Sequence, residues 1–235
     1  MRILYKNIFL VLIAFQFVNL HSQNSFNKLD EKGKKQGVWK GVYEDTKNPK
    51  YEGTFEHGKE VGKFVFFDNT KSKIIIATRE FNKLNNEAHT VFFDQNKNKV
   101  SEGKVVNKSF EGEWKYYHKA SSSIMTIENY KNGKLEDLRT VYYPNGKIAE
   151  ETNYKNNSKE GFCKIYTQNG IVIEESFYKN NMYNGASIFR DTEGNLVSKG
   201  NFVNGKKSGI WQFFEKGKLI KETNMSYPEI KTKSK

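Results

Sequence analysis

A single cysteine, Cys163, excludes an intramolecular disulfide, so no covalent staple holds this fold together. Cys163 sits in the alternating stretch GFCKIY, where it reads as a small strand residue rather than a nucleophile. Histidines are few: His21, His57, His89 and His118 stand apart, with no HExxH, CxxC or paired-His spacing. That excludes the usual metal-site signatures. No GxSxG and no P-loop occurs either, and the GK and NGK pairs read as turns, so neither a cofactor nor catalysis is expected. Apolar residues make up only 36% of the chain, against roughly 45–50% in an ordinary compact domain. Burial must therefore be thin. Yet 14% of residues are aromatic, which argues against disorder.

Long hydrophobic runs are also scarce. The one run, IFLVLIAFQFV at 8–18, is too short to cross a bilayer, which takes about 20 residues. It follows the basic MRILYK and precedes NLHSQ, the three-part layout of a secretory signal peptide. The expectation is cleavage after Ser22, ahead of Gln23, and export to the periplasm or cell surface. No cysteine follows the run, so a lipoprotein-type anchor is not expected. The formal net charge is +12; Arg2 and Lys6 fall in the leading segment, so the remainder carries two fewer positive charges. Lysines are spread along the whole chain, as on a solvated surface, although such a balance also suits an anionic membrane.

What the sequence has in abundance is itself. GKKQGVW at 33–39 returns as GKKSGIW at 205–211. Anchors at Gly37, Gly62, Ala88, Gly112, Leu138, Gly161, Gly185 and Gly209 mark eight units of 23–26 residues. The first half of each reads G-x-[W/F]-x-[F/Y]-[F/Y], as in GKFVFF, GEWKYY and GIWQFF. Ala88 and Leu138 break the glycine, and Cys163 and Ser187 replace the ring. The second half is β-branched and acidic and ends in an aromatic, as in KIAEETNY. Both halves alternate with the strand period of two. Turn residues separate them (PNGK at 144–147, QNG at 168–170, EGN at 193–195, KGK at 216–218), and Asn-Gly suits a type I′ turn. A second set, such as KNGK at 131–134 and VNGK at 203–206, joins the units.

The expected fold is all-β: an extended single-layer antiparallel β-meander of about eight hairpin repeats, near 16 strands. Residues 1–22 read as signal peptide, 23–32 as a short leader, 33–225 as the repeat domain and 226–235 as a basic tail.

GKKSGIWQFF, GEWKYY and YPNGKIAEETNYKNN resemble the MORN repeat, in the variant carried by the YwqK-type antitoxin family. The likeness covers about residues 33–225. It implies a repeat protein that acts by binding, and a toxin-neutralising partner is one role the family label suggests.

Alternation puts Trp114 and Tyr116 on one face, with Lys115 and Tyr117 on the other. Stacked units then align Trp39, Phe64, Trp114 and Trp211. Beside them run Phe66, Phe92, Tyr116, Tyr142, Phe189 and Phe213. A one-layer sheet leaves rings partly wet, most of all in its end units. Trp39, Trp114, Tyr116, Trp211 and Phe213 are therefore the candidate binding residues. Glu52, Glu102, Glu151, Glu175 and Glu222 recur with the repeat, so they read as cross-strand partners of lysine rather than a catalytic pair. The expected function is an exported, non-catalytic scaffold that binds another envelope or secreted protein. Attachment to an anionic membrane surface is the alternative, and export argues against nucleic acid.

Overall fold

The computed structural model describes residues 26–82, 85 and 87–226. The signal-peptide reading lies outside them. The described chain is all-β with no helix. A short strand, β1 (Lys28–Leu29), precedes eight units. These are β2–β3 (Lys35–Val42, Pro49–Glu56), β4–β5 (Lys59–Phe67, Ile75–Phe81), β6–β7 (Glu87–Phe93, Lys99–Val106) and β8–β9 (Ser109–Tyr117, Ile124–Lys131). Then come β10–β11 (Lys134–Tyr142, Ile148–Lys155) and β12–β13 (Ser158–Tyr166, Val172–Lys179). The seventh unit is β14, β15 and β16 (Met182–Tyr183, Gly185–Arg190, Leu196–Val203), and the last is β17–β18 (Lys206–Glu215, Lys218–Asn224). The 18 strands exceed the expected 16 by β1, within the segment read as leader, and by a break at Asn184.

Each strand pairs antiparallel with its neighbours in sequence. Packed strand pairs are likewise near neighbours in sequence, so no second layer covers the sheet among the described residues. Among the described residues β1 pairs only with β2, and β18 only with β17, leaving an open meander.

Two kinds of turn alternate. The two-residue linkers between units carry positive φ at both positions, as at Asn132–Gly133 (52° and 75°) and Asn204–Gly205 (48° and 77°). These are the type I′ turns whose twist matches paired strands. The turns within units differ. In PNGK only Gly146 has positive φ (81°); its N–H donates to Tyr143 O, and Tyr143 N–H donates to Lys147 O. The I′ reading of that Asn-Gly is thus corrected: the loop is one residue too long, and the extra residue is taken up by a register shift at Val141/Tyr142. The last unit, with Lys216 and Gly217 both positive, does make the two-residue turn.

The anchor glycines Gly37, Gly62, Gly112, Gly161, Gly185 and Gly209 all have φ between 64° and 129°. Opposite them the ladder slips, for example between Gly103 and Lys104. Gly112 is needed because side chains rarely adopt its φ of 66°. The bulge frees a carbonyl, and the ring two residues later captures it. Trp114 Nε1 donates to Lys104 O at 2.9 Å, and Trp211 Nε1 to Asn201 O at 3.1 Å. Trp39 Nε1 likewise reaches Lys28 O at 3.0 Å. The G-x-W motif is therefore one device: glycine opens the ladder and indole closes it.

The two irregular anchors resolve differently. Ala88 lacks positive φ, and the β5–β6 ladder runs through it without a slip. In the fifth unit the positive φ belongs to Asp137 (58°), so Leu138 is not the anchor. Aspartate tolerates this region, which spacing counted on glycine could not show. With the anchor at Asp137, Arg139 takes the ring position, and Val141 rather than Tyr142 joins the neighbouring row.

Candidate interaction surface

One face holds the core. The ring position is buried almost throughout: Phe64, Thr90, Trp114, Cys163, Ser187 and Trp211 are at most 1% exposed. Each faces a residue on the preceding strand, and the two are matched in volume and chemistry. A Cβ added to Gly53 would lie 2.3 Å from the Phe64 ring; at Gly103 and Gly200 it would lie 2.4 Å from the indoles of Trp114 and Trp211. Where the ring is missing, the glycine is missing too. Thr90 faces Arg79, whose guanidinium lies 5.2 Å from the Phe66 centroid. Arg139 pairs with Glu128 at 3.0 Å. Cys163 faces Thr152, whose hydroxyl oxygen lies 3.1 Å from Sγ. Small Ser187 and Ser176 are both buried. This pairing escapes inspection of one unit at a time. Its trace is that glycines at 53, 103 and 200 each stand one strand ahead of a ring.

A third residue covers each tryptophan. Phe110 stacks on Trp114 at 3.7 Å, and Lys207 Nζ lies 4.1 Å from the Trp211 centroid. Lys35 covers half-buried Trp39 at 4.6 Å and donates to Tyr51 Oη at 2.8 Å. This overturns the expectation of wet rings for Trp114 and Trp211, while Trp39, Tyr116 and Phe213 keep partial exposure. Trp114 and Trp211 are fully buried and offer no contact surface, even though Trp211 lies in an end unit. Tyr116 is half-buried, with its hydroxyl 3.2 Å from that of Tyr130, and Phe213 is half-buried beside Trp211. Cross-strand side chains and lid residues bury the rings without a second layer.

The core face turns polar in its middle. Arg139 bridges Glu128 and Glu150, Tyr130 donates to Glu128 at 2.6 Å, and Thr152 donates to Glu150 at 2.8 Å. Beyond them Tyr183 donates to Glu174 at 2.9 Å. Burial pushes the Cys163 thiol above its ordinary range, and at 1% exposure it is no nucleophile. These groups satisfy one another and leave no reactive pair open.

The opposite face carries the acidic ladder. Lys40–Glu52 and Lys164–Glu175 pair across strands at 3.4 and 3.7 Å, as the sequence suggested, whereas Lys99 pairs with Glu102 at 2.9 Å within one strand. Glu151 instead takes the Tyr166 hydroxyl and Glu222 the Gln212 amide. Glu102 is the focus. Burial pushes its carboxyl upward, but the Tyr117 hydroxyl, Lys99 and His89 outweigh that and hold it at about 2. A carboxylate with a folded value below its unfolded 4.5 contributes stability above that pH and loses it as pH falls toward 2. Acid titration of thermal midpoints should therefore show a shallower loss between pH 4.5 and 2 for Glu102→Gln than for the parent. Parallel curves would remove Glu102 as a source of acid sensitivity.

The two ends of the sheet differ. At the N-terminal end, Asn27 covers the edge of β2. Its N–H donates to Val38 O at 2.8 Å, its Nδ2 to Lys40 O at 3.1 Å, and its Oδ1 accepts from Lys40 N at 2.7 Å. At the C-terminal end, β18 shows no such cover among the described residues. Nearby Ile210, Leu219 and Ile220 are 55%, 49% and 61% exposed. A cavity of about 460 Å³ opens beside the end of β18, lined by Phe202, Lys206, Lys207, Asn224 and Met225.

No curated protein matches this chain. A crystal structure of a Bacteroides fragilis protein of unknown function is 10% identical over 74% of this chain and 89% of its own. Its TM-score is 0.16, too low for that likeness to carry any argument. A family model described as a MORN repeat variant matches residues 138–156 and 159–180. Those segments run from β10 to β13, and the units flanking them repeat the same two-stranded plan. The chain is a repeat protein, and its central units match the MORN repeat variant.

Proposed function

We propose that this is an exported, non-catalytic scaffold that binds another protein at the cell envelope. The observation that supports it most is the uncovered β18 edge, flanked by exposed Ile210, Leu219 and Ile220. Exposed strand edges are templates for pairing with another chain, and natural proteins normally cover them. Among the described residues one end is covered and the other is not. Export rests on the sequence of residues 1–22. Toxin neutralisation is a narrower form of this reading, in which the bound protein would be a toxin. Membrane attachment through lysines is less favoured. Lys35 and Lys207 lie over rings, and Lys40, Lys99 and Lys164 lie within 4 Å of carboxylates, so much of the positive charge is engaged locally.

A photo-crosslinking residue at Ile220, introduced into the chain in living cells, tests this. The expected result is one discrete adduct with an envelope protein, absent when the probe is placed at Thr70 on an opposite unit. Lipid adducts alone, or identical adducts from both positions, would overturn the scaffold reading.

A further inference from the structure

We infer that β18 receives an extended acidic segment of a partner protein, added as the next strand of the sheet, with a small hydroxyl or thiol residue opposite Thr223. This rests on the protein-binding reading above and names the chemistry of the bound segment.

The repeat itself defines what the edge accepts. Every interior second-half strand pairs on its outer side with the first-half strand of the next unit, as β7 does with β8. β18 is the eighth such strand. Its Thr223, opposite Trp211, occupies the position that Gly103 and Thr152 hold in earlier units. A glycine there admits a ring, whereas Thr152 admits only Cys163. By the same rule Thr223 excludes a tryptophan and accepts a small residue. Its Oγ1 is buried and has no hydrogen-bond partner, while the equivalent Thr152 hydroxyl has two, Glu150 and Cys163. A buried hydroxyl without a partner costs free energy that a serine, threonine or cysteine across the edge would recover.

Interior units also stack their linkers. Gly133 N–H donates to Phe110 O at 2.9 Å, Asn181 N–H to Lys159 O at 3.1 Å, and Gly205 N–H to Tyr183 O at 2.8 Å. The 460 Å³ cavity lies one step further along that stack, against Lys207. An added strand would extend into it.

Charge selects the partner. Lys216, Lys218 and Lys221 lie in the last hairpin, and Lys206 and Lys207 line the cavity at its end. Glu215 and Glu222 oppose them, and Glu222 is engaged by Gln212. Edge lysines discourage self-pairing, since a second copy would bring lysines against lysines. An acidic strand meets complementary charge instead.

The probe is a labelled peptide alternating Glu and Val around one central Ser, followed by fluorescence anisotropy with the full chain. Three comparisons accompany it: Lys in place of every Glu, Pro at alternate positions with charge kept, and the chain carrying Lys218→Glu and Lys221→Glu. The acidic peptide should bind roughly tenfold more tightly than each comparison. Equal binding of the proline peptide would reduce the effect to unspecific charge attraction and overturn strand addition. Equal binding of the lysine peptide would overturn the acidic partner. Two further results would reassign the edge and equally overturn the inference. One is a dimer in sedimentation equilibrium that the Lys→Glu pair abolishes. The other is a large gain in peptide affinity on truncation after Ser226, which would mean that the chain's own tail competes. If crosslinking at Ile220 still finds an envelope protein while the peptides fail, the scaffold reading stands and only the acidic-strand chemistry falls.

Discussion

Gly103→Ala should destabilise the sheet by about 1–3 kcal/mol, although it adds a single methyl group. The new Cβ would lie 2.4 Å from the Trp114 indole, and that ring is fully buried. It is pinned by Phe110 stacked at 3.7 Å and by its bond to Lys104 O, so it has nowhere to move. Trp114→Ala should cost more, about 3–5 kcal/mol, through lost burial and the cavity left behind. The decisive variant changes both residues. Gly103→Thr with Trp114→Cys copies the Thr152–Cys163 pair, which occupies the same slot two units later. The double variant should be more stable than the sum of its single changes predicts, by about 1–3 kcal/mol. Urea denaturation followed by circular dichroism measures all four proteins. Strict additivity would mean that the slot residues do not act as matched pairs.

The second large effect concerns Arg139. Replacing it with Met should cost about 3 kcal/mol, because it strands Glu128 and Glu150 on a half-buried face. Both carboxylates now share the guanidinium, at 3.0 and 3.5 Å, and the Arg139 side chain is only 24% exposed. Thr152 and Tyr130 would remain as uncharged hydroxyl donors, and Lys159, 4.0 Å from Glu150, would be the one cation left beside that carboxylate among the described residues. Glu128→Gly alone should also destabilise, by emptying the slot. Combining Glu128→Gly with Arg139→Trp rebuilds the ring-over-glycine pair of the third and fourth units. That double variant should return to within about 1 kcal/mol of the parent or exceed it, since apolar replacement of buried ion pairs is often neutral or stabilising. A double variant less stable than both single variants would show that the polar middle of the core face is indispensable to the sheet.

These pairs also explain why a chain so poor in apolar residues folds. Rings fill slots shaped by the preceding strand and are covered by a residue earlier on their own strand. Burial is achieved strand by strand rather than between layers. Stability is then a sum of neighbouring units, as in other repeat architectures.

The repeat, the strand alternation and the places where the chain turns were legible in the sequence because each is a local rule, whereas the I′ geometry was read into the turns within units and belongs mainly to the linkers. A period of two fixes which side chains share a face, and Asn-Gly marks a turn, although its type also depends on loop length. The anchor glycines were legible for the same reason. Position 137 was not, because aspartate can occupy the left-handed region without announcing it, and counting from Leu138 moved Arg139 out of the ring row. The fate of the rings was not legible either. Alternation assigns Trp114 and Trp211 to a face but cannot say that Gly103 and Gly200 hollow a seat for them, or that Phe110 and Lys207 close it. The seats join residues on two strands whose register depends on a bulge, and the lids reach each ring from earlier on its own strand. The sequence by itself determined an eight-unit antiparallel meander. Only the tertiary structure decided that Trp114 and Trp211 are sealed and the N-terminal edge covered, because burial depends on which side chains meet across strands rather than on which face each one occupies.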